Sequence, residues 1–134
     1  MGCDIHWTVE VKSGDKWIGV MNDCGSKCKA AGRWYAFFGE LVGVRMESDN
    51  AMPQRGLPED VSDLTCYDAH TSAWDHSASW CSIDEFVAAY NRAVTKFQDK
   101  NPDEKVVSKE ELFGLSYWPM NDDEEQRIVF AFDN

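Results

Sequence analysis

Cys3, Ile5, Trp7, Val9 and Val11 alternate with Asp4, His6, Thr8, Glu10 and Lys12, a period of two that predicts a half-buried strand. Ser13-Gly14-Asp15 supplies turn chemistry. Lys16-Trp17-Ile18-Gly19-Val20 predicts a returning strand, so the chain opens on a hairpin. Residues 22–33, rich in Gly, Lys, Asn and Cys, read as a loop. Tyr35, Phe38, Leu41 and Val42 recur at helical spacing and predict a short helix ending near Gly43.

A second loop is expected from Glu47 to about Ser82, where the prolines and glycine of Met52-Pro53-Gln54-Arg55-Gly56-Leu57-Pro58 forbid regular structure. Structureless connections of that length are uncommon in compact domains and are usually functional or disordered. Leu64, Tyr67, Trp74 and Trp80 argue for a packed, functional loop. Ser82-Ile83-Asp84-Glu85 is then a capping box, followed by an apolar stripe of Ile83, Phe86, Val87, Tyr90, Val94 and Phe97 at helical spacing. Ser108-Lys109-Glu110-Glu111 repeats the signal before Leu112-Phe113, and Gly114 can end that short helix. Ile128-Val129-Phe130-Ala131-Phe132 reads as a buried strand. The expected fold is α+β. A small, mostly antiparallel sheet, made of the N-terminal hairpin and the C-terminal strand, carries two to three helices on one face and a long functional loop.

At 134 residues and 43% hydrophobic composition, a single domain over 1–134 with a real core is expected. No apolar run approaches the roughly 20 residues of a membrane span. The first residues show no basic segment leading into an apolar one, so a cytoplasmic protein is expected. Five cysteines, an odd number, suggest free thiols, and the Cys24–Cys28 pair lacks the second half that structural zinc would need. The formal charge of −11 argues against direct nucleic-acid binding. Residues 99–125 hold nine Asp or Glu against three Lys, which reads either as a solvated surface or as a face aimed at a basic protein partner.

Two polar clusters carry candidate chemistry. Asp4 and His6 share one face of the first strand, with Glu10 further along it, about 7 Å apart by strand geometry and able to converge on one ion or ligand. Asp4-x-His6 also resembles the opening of metallophosphoesterases, but their later G-D and G-N-H-[DE] ligands are missing. In Asp75-His76-Ser77-Ala78-Ser79-Trp80, His76 and Asp75 are the candidate acid–base groups. Ser77 as a nucleophile would need an oxyanion hole and an orienting acid, and no G-x-S-x-G surrounds it, which argues against serine-hydrolase chemistry. Arg33, Arg45 and Arg55 could grip phosphate, and Arg33-Trp34 with Trp74 and Trp80 could clamp a planar base.

Together these segments resemble a group of phage and bacterial proteins. Its members open M-G-x-D-I-H, carry an aromatic helix ending G-V-R, continue through R-G-L-P-x-D-x-S and H-S-x-S-W, and close on R-I-V-F-x-F-D-N. The matching residues are Met1–His6, Gly43–Arg45, Arg55–Ser62, His76–Trp80 and Arg127–Asn134. The resemblance implies a phage-type accessory protein, with an anti-defence role in the host cytoplasm, and attaches no activity to it. It groups Asp4, His6, Arg45, Arg55, His76, Ser77, Ser79, Trp80 and Asp133-Asn134 as residues that occur together.

The leading expectation is a module binding a small phosphorylated ligand of nucleotide type. Arg45 and Arg55 would hold phosphate and Trp80 would stack, while Asp4, His6, Ser77 and Ser79 would complete the contacts. One alternative is a phosphoester hydrolase in which Asp4, His6 and His76 hold a divalent metal that activates water. The other is an acidic inhibitor or nucleic-acid mimic that binds a basic protein through residues 99–125.

Overall fold

A computed structural model describes residues 2–23 and 27–134. The predicted hairpin forms from β1 (Ile5–Ser13) and β2 (Lys16–Asn22), joined by a two-residue turn with Gly14 at φ 64. β3 (His76–Cys81) and β4 (Gln126–Phe132) complete a four-stranded antiparallel sheet in the order β2-β1-β4-β3. The fold is therefore α+β with a small antiparallel sheet, as the alternation and capping signals imply.

The β1–β4 ladder sets Ile5, Trp7 and Val9 opposite Phe132, Phe130 and Ile128, so the two central strands present a buried apolar row to one face of the sheet. Three helices cover that face: α1 (Tyr35–Val42), α2 (Ile83–Lys96) and α3 (Lys109–Leu112). Phe38 meets Phe132 with ring centroids 4.9 Å apart, Phe86 meets Phe130 at 5.9 Å and Trp7 meets Phe113 at 4.9 Å. Both capping boxes form: the Ser82 hydroxyl accepts from the Glu85 amide at 3.0 Å, and Ser108 accepts from Glu111 at 3.2 Å. Gly43, at φ 73, closes α1 in the left-handed cap expected of it.

The expected loop from Glu47 to Ser82 is broken by two regular elements. One is β3; the other is a fourth helix, α4 (Asp63–Thr71, which precedes β3 in the chain). α4 escapes a search for apolar periodicity because its buried residues are Thr65 and Asp68. It packs through hydrogen bonds on the face opposite the aromatic core. There, Glu10, with no exposed surface, accepts from the Ser62 amide at 2.8 Å, from the Thr65 hydroxyl and from Arg127 Nε at 2.6 Å. Thr8 and the Ser62 hydroxyl both donate to Thr65. Burial pushes the Glu10 carboxyl up, but the donations of Thr65, Ser62 and Arg127 outweigh it and hold the group below the ordinary carboxylate range.

Among the described residues, no helix is long and apolar enough to cross a membrane. Cys3, Cys66 and Cys81 are thiols outside any disulfide, and Cys24 of the Cys24–Cys28 pair lies outside the described residues. Glu10→Gln keeps the shape of the side chain but leaves Arg127 buried without its ionic partner. It should lower stability by about 3 kcal/mol in urea denaturation, and a loss under about 0.5 kcal/mol, the range of an ordinary surface change, would show the pair to be dispensable.

Candidate functional site

Because β1 and β4 run antiparallel, the start of one and the end of the other share one end of the sheet. One step beyond the Ile5–Phe132 pair, the Asp133 amide donates to the Asp4 carbonyl at 3.1 Å, and the Asp4 amide donates to Asp133 Oδ1 at 2.8 Å. His6 stands between two carboxylates, with Nε2 2.9 Å from Asp133 and Nδ1 3.2 Å from Asp23. Donation to Asp23, opposed by burial and reinforced by Asp133, raises the imidazole to about 9 and makes it an imidazolium at neutral pH. Burial raises the Asp133 carboxyl, but His6 and the Asp4 amide more than offset it and leave it below its usual range.

β3 delivers the second polar cluster to the same place, since His76 is opposite Phe132 in the ladder. Its Nε2 lies 3.2 Å from the Asp133 carbonyl, its Nδ1 lies 2.9 Å from Ser77 Oγ, and its ring stacks on Phe132 at 6.2 Å. Asp75 accepts from the Asn134 amide at 3.2 Å, and Arg45 donates to the Asn134 side chain at 3.2 Å while lying over Tyr35. Arg33 pairs with Asp4 at 2.8 Å. Asp4, His6, Arg45, Asp75, His76 and Ser77 thus gather around Asp133-Asn134, and the two sequence clusters meet through that dipeptide. Arg45 (φ 65) and Ser77 (φ 57) are the non-glycine residues with positive φ among the described residues. Such strained conformations concentrate at functional sites.

The remaining expected residues form a separate group on the outer edge of β3. The Arg55 amide donates to Ser79 Oγ at 3.0 Å and the Gly56 amide to the Ala78 carbonyl at 2.9 Å, laying this segment along the strand. The Arg55 guanidinium then sits 4.8 Å over the Trp80 ring and donates to the Trp80 carbonyl at 2.8 Å. Ser79 is buried, so it positions Arg55 from beneath and is not a surface contact. Trp80 points to the opposite face and lines a cleft of about 350 Å³ with Trp17, Lys12, Arg127, Asp60 and Glu85. Arg127 lies 3.9 Å over Trp17, whose indole N–H donates to Asp60 at 3.2 Å. The expected clamp of Arg33-Trp34 with Trp80 is replaced by Arg55 on Trp80, because Trp34 packs edge-on against Tyr90.

For a metal, the arrangement is unfavourable as it stands: both His6 nitrogens face carboxylates, and Asp4 is paired with Arg33. Among the described residues, no group of three or more His, Cys, Asp and Glu could hold an ion. Sequence reasoning missed Asp23, which lies in a region without periodicity, and the Trp17–Lys12 side of the cleft. The second was accessible, because a two-residue turn at Gly14-Asp15 sets Lys12 opposite Trp17. Comparison of the chain with family models, with curated proteins and with solved structures finds no match.

The His6 clamp has a pH signature. A histidine raised by folding contributes stability that is fully present below its unfolded value near 6.5 and is lost as pH rises through about 9. Melting temperature should therefore fall between pH 7 and pH 10 in the native chain, and the fall should be smaller in His6→Asn. Equal falls in both would place the titration elsewhere.

Proposed function

We propose that this chain is a binding module for a small phosphorylated ligand of nucleotide type, held at the Trp17–Trp80 cleft. The observation that carries this reading is Arg55, fixed by two hydrogen bonds and lying 4.8 Å over Trp80, whose side chain lines a cleft together with a second tryptophan. A base can stack on an indole, and an exposed guanidinium beside it suits phosphate bidentately. Lys12, exposed at the same cleft, supplies a second cation, while Asp60, Glu85 and Glu125 provide acceptors for base and sugar hydroxyls. Arg45 and His6 belong to the Asp133 cluster and are not phosphate contacts in this reading. In the phage setting that the resemblance implies, such a module would serve an accessory, anti-defence role by sequestering a nucleotide in the host cytoplasm.

One observation favours a partner surface as well. Tyr117 is 74% exposed within the acidic 99–125 stretch, and Val106 is 62% exposed there, which suits docking of a basic protein.

The test is native mass spectrometry of freshly purified protein, followed by calorimetric titration with mono- and dinucleotides. The expected result is a noncovalent adduct of a few hundred daltons. Arg55→Ala should remove binding while shifting the melting temperature little, because an exposed cation–π pair is worth only about 0.5–1 kcal/mol. Absence of any nucleotide binding at millimolar concentration would refute the reading.

A further inference from the structure

We propose that Ser77 is a nucleophile with His76 as its general base, giving the chain acyl-transfer activity toward small activated esters. This rests on the Asp133 end of the sheet and is independent of the Trp17–Trp80 cleft. The Asp133 carbonyl can only accept a hydrogen bond, so the His76 Nε2 that lies 3.2 Å from it carries the ring proton. Nδ1 therefore presents its lone pair, and Ser77 Oγ, 2.9 Å away, donates its hydroxyl proton to it. A serine hydroxyl is a weak nucleophile until a base placed in this way receives its proton.

The base is itself held in place. Its ring stacks on Phe132 at 24° between planes. Asp133, whose carbonyl orients it, is tied to Asp4 by its amide, which donates to the Asp4 carbonyl at 3.1 Å, and by Oδ1, which accepts from the Asp4 amide at 2.8 Å, while Oδ2 lies 2.9 Å from His6. Asp4 and His6 are thus positioning residues, acting on Ser77 through Asp133 and His76. This accounts for the meeting of the two polar clusters that the ligand cleft leaves unused.

Ser77 also has an unusual backbone. The β3–β4 register shifts between His76 and Ser79, and Ser77 holds φ 57 in that bulge. A bulge re-aims a side chain out of the ladder. Here it turns Ser77 onto its neighbour's imidazole and leaves it half-buried beside an exposed histidine, within reach of a small substrate. The strained bulge takes the place of the strand-to-helix elbow that the sequence lacks.

In the reaction, Ser77 Oγ forms a bond to the ester carbonyl carbon while its proton passes to His76 Nδ1. The bond from that carbon to the leaving alkoxide breaks, and the alkoxide takes the proton from Nδ1 and departs as an alcohol. Water then attacks the acyl-serine, giving a proton to Nδ1. The acid is released and the proton returns to Ser77. The sum is ester plus water to acid plus alcohol.

The test uses the full chain with an alkyl fluorophosphonate, which loses fluoride on forming a P–O bond to the serine, and with p-nitrophenyl acetate. The expected result is one covalent adduct, mapped by intact mass and peptide fragmentation to Ser77, together with slow ester turnover. Ser77→Gly, which accepts φ 57 without strain, should keep or raise the melting temperature and abolish both signals. His76→Phe keeps the stack on Phe132 and should slow labelling on the order of a hundredfold. No adduct on the folded native chain, an adduct on another residue, or labelling indifferent to His76 would each overturn the proposal.

Discussion

The Glu10–Arg127 pair is the constraint on which the second layer of this protein depends. It lies across the two central strands, on the face that the aromatic core does not use, with Glu10 fully buried and Arg127 7% exposed. A buried ion pair by itself is weak evidence of stability, because desolvation offsets much of the attraction. Here the pair organises further chain. The other Glu10 oxygen accepts from Ser62 and Thr65, while Arg127 reaches Asp60 at 3.1 Å and covers Trp17. Segment 60–65 is thereby fixed over the sheet, close enough that a Cβ on Gly19 would collide with Leu64. With that end fixed, the chain just before it reaches the free edge of β3 and lays Arg55 on Trp80. The cleft therefore follows from the ion pair.

Legibility in the sequence followed the type of force that holds each part. The hairpin, α1, α2, α3 and β4 could be read because apolar burial leaves a period, and caps leave a short polar motif at a fixed offset. α4 and β3 could not. Thr65 and Asp68 are buried in α4 because Glu10 and Asn22 wait for them across the sheet, and such partners far along the chain leave no local period. β3 is short, serine-rich and bulged, so its alternation fails where Ser77 and Ala78 depart from the ladder. Asp4, His6, His76 and Trp80 were visible as chemistry. Their division into an Asp133 group and a Trp80 group was not, because it depends on which face each residue takes in a ladder with a one-residue irregularity. A shift of one residue moves a side chain to the other side of the sheet.

Strand β4 joins the two groups and explains why both can be precise. Ile128 through Phe132 are all buried, pairing on one side with β1 and on the other with β3. The strand is thus a rigid bar with a charged or polar group at either end: Arg127 under the Trp17–Trp80 cleft, and Asp133 under His6 and His76. Polar groups mounted on such an element keep their geometry without reorganising when a ligand arrives, and this preorganisation is what both binding and acid–base chemistry require. The cost lies at the rims, where Ser77 and Arg45 hold left-handed conformations that nothing in their residue types favours. Strain of that kind persists when surrounding contacts over-determine it. At Ser77 those contacts are the bulged β3–β4 ladder and the His76 ring, so the packed bar that stabilises the fold also holds the strained serine against its base.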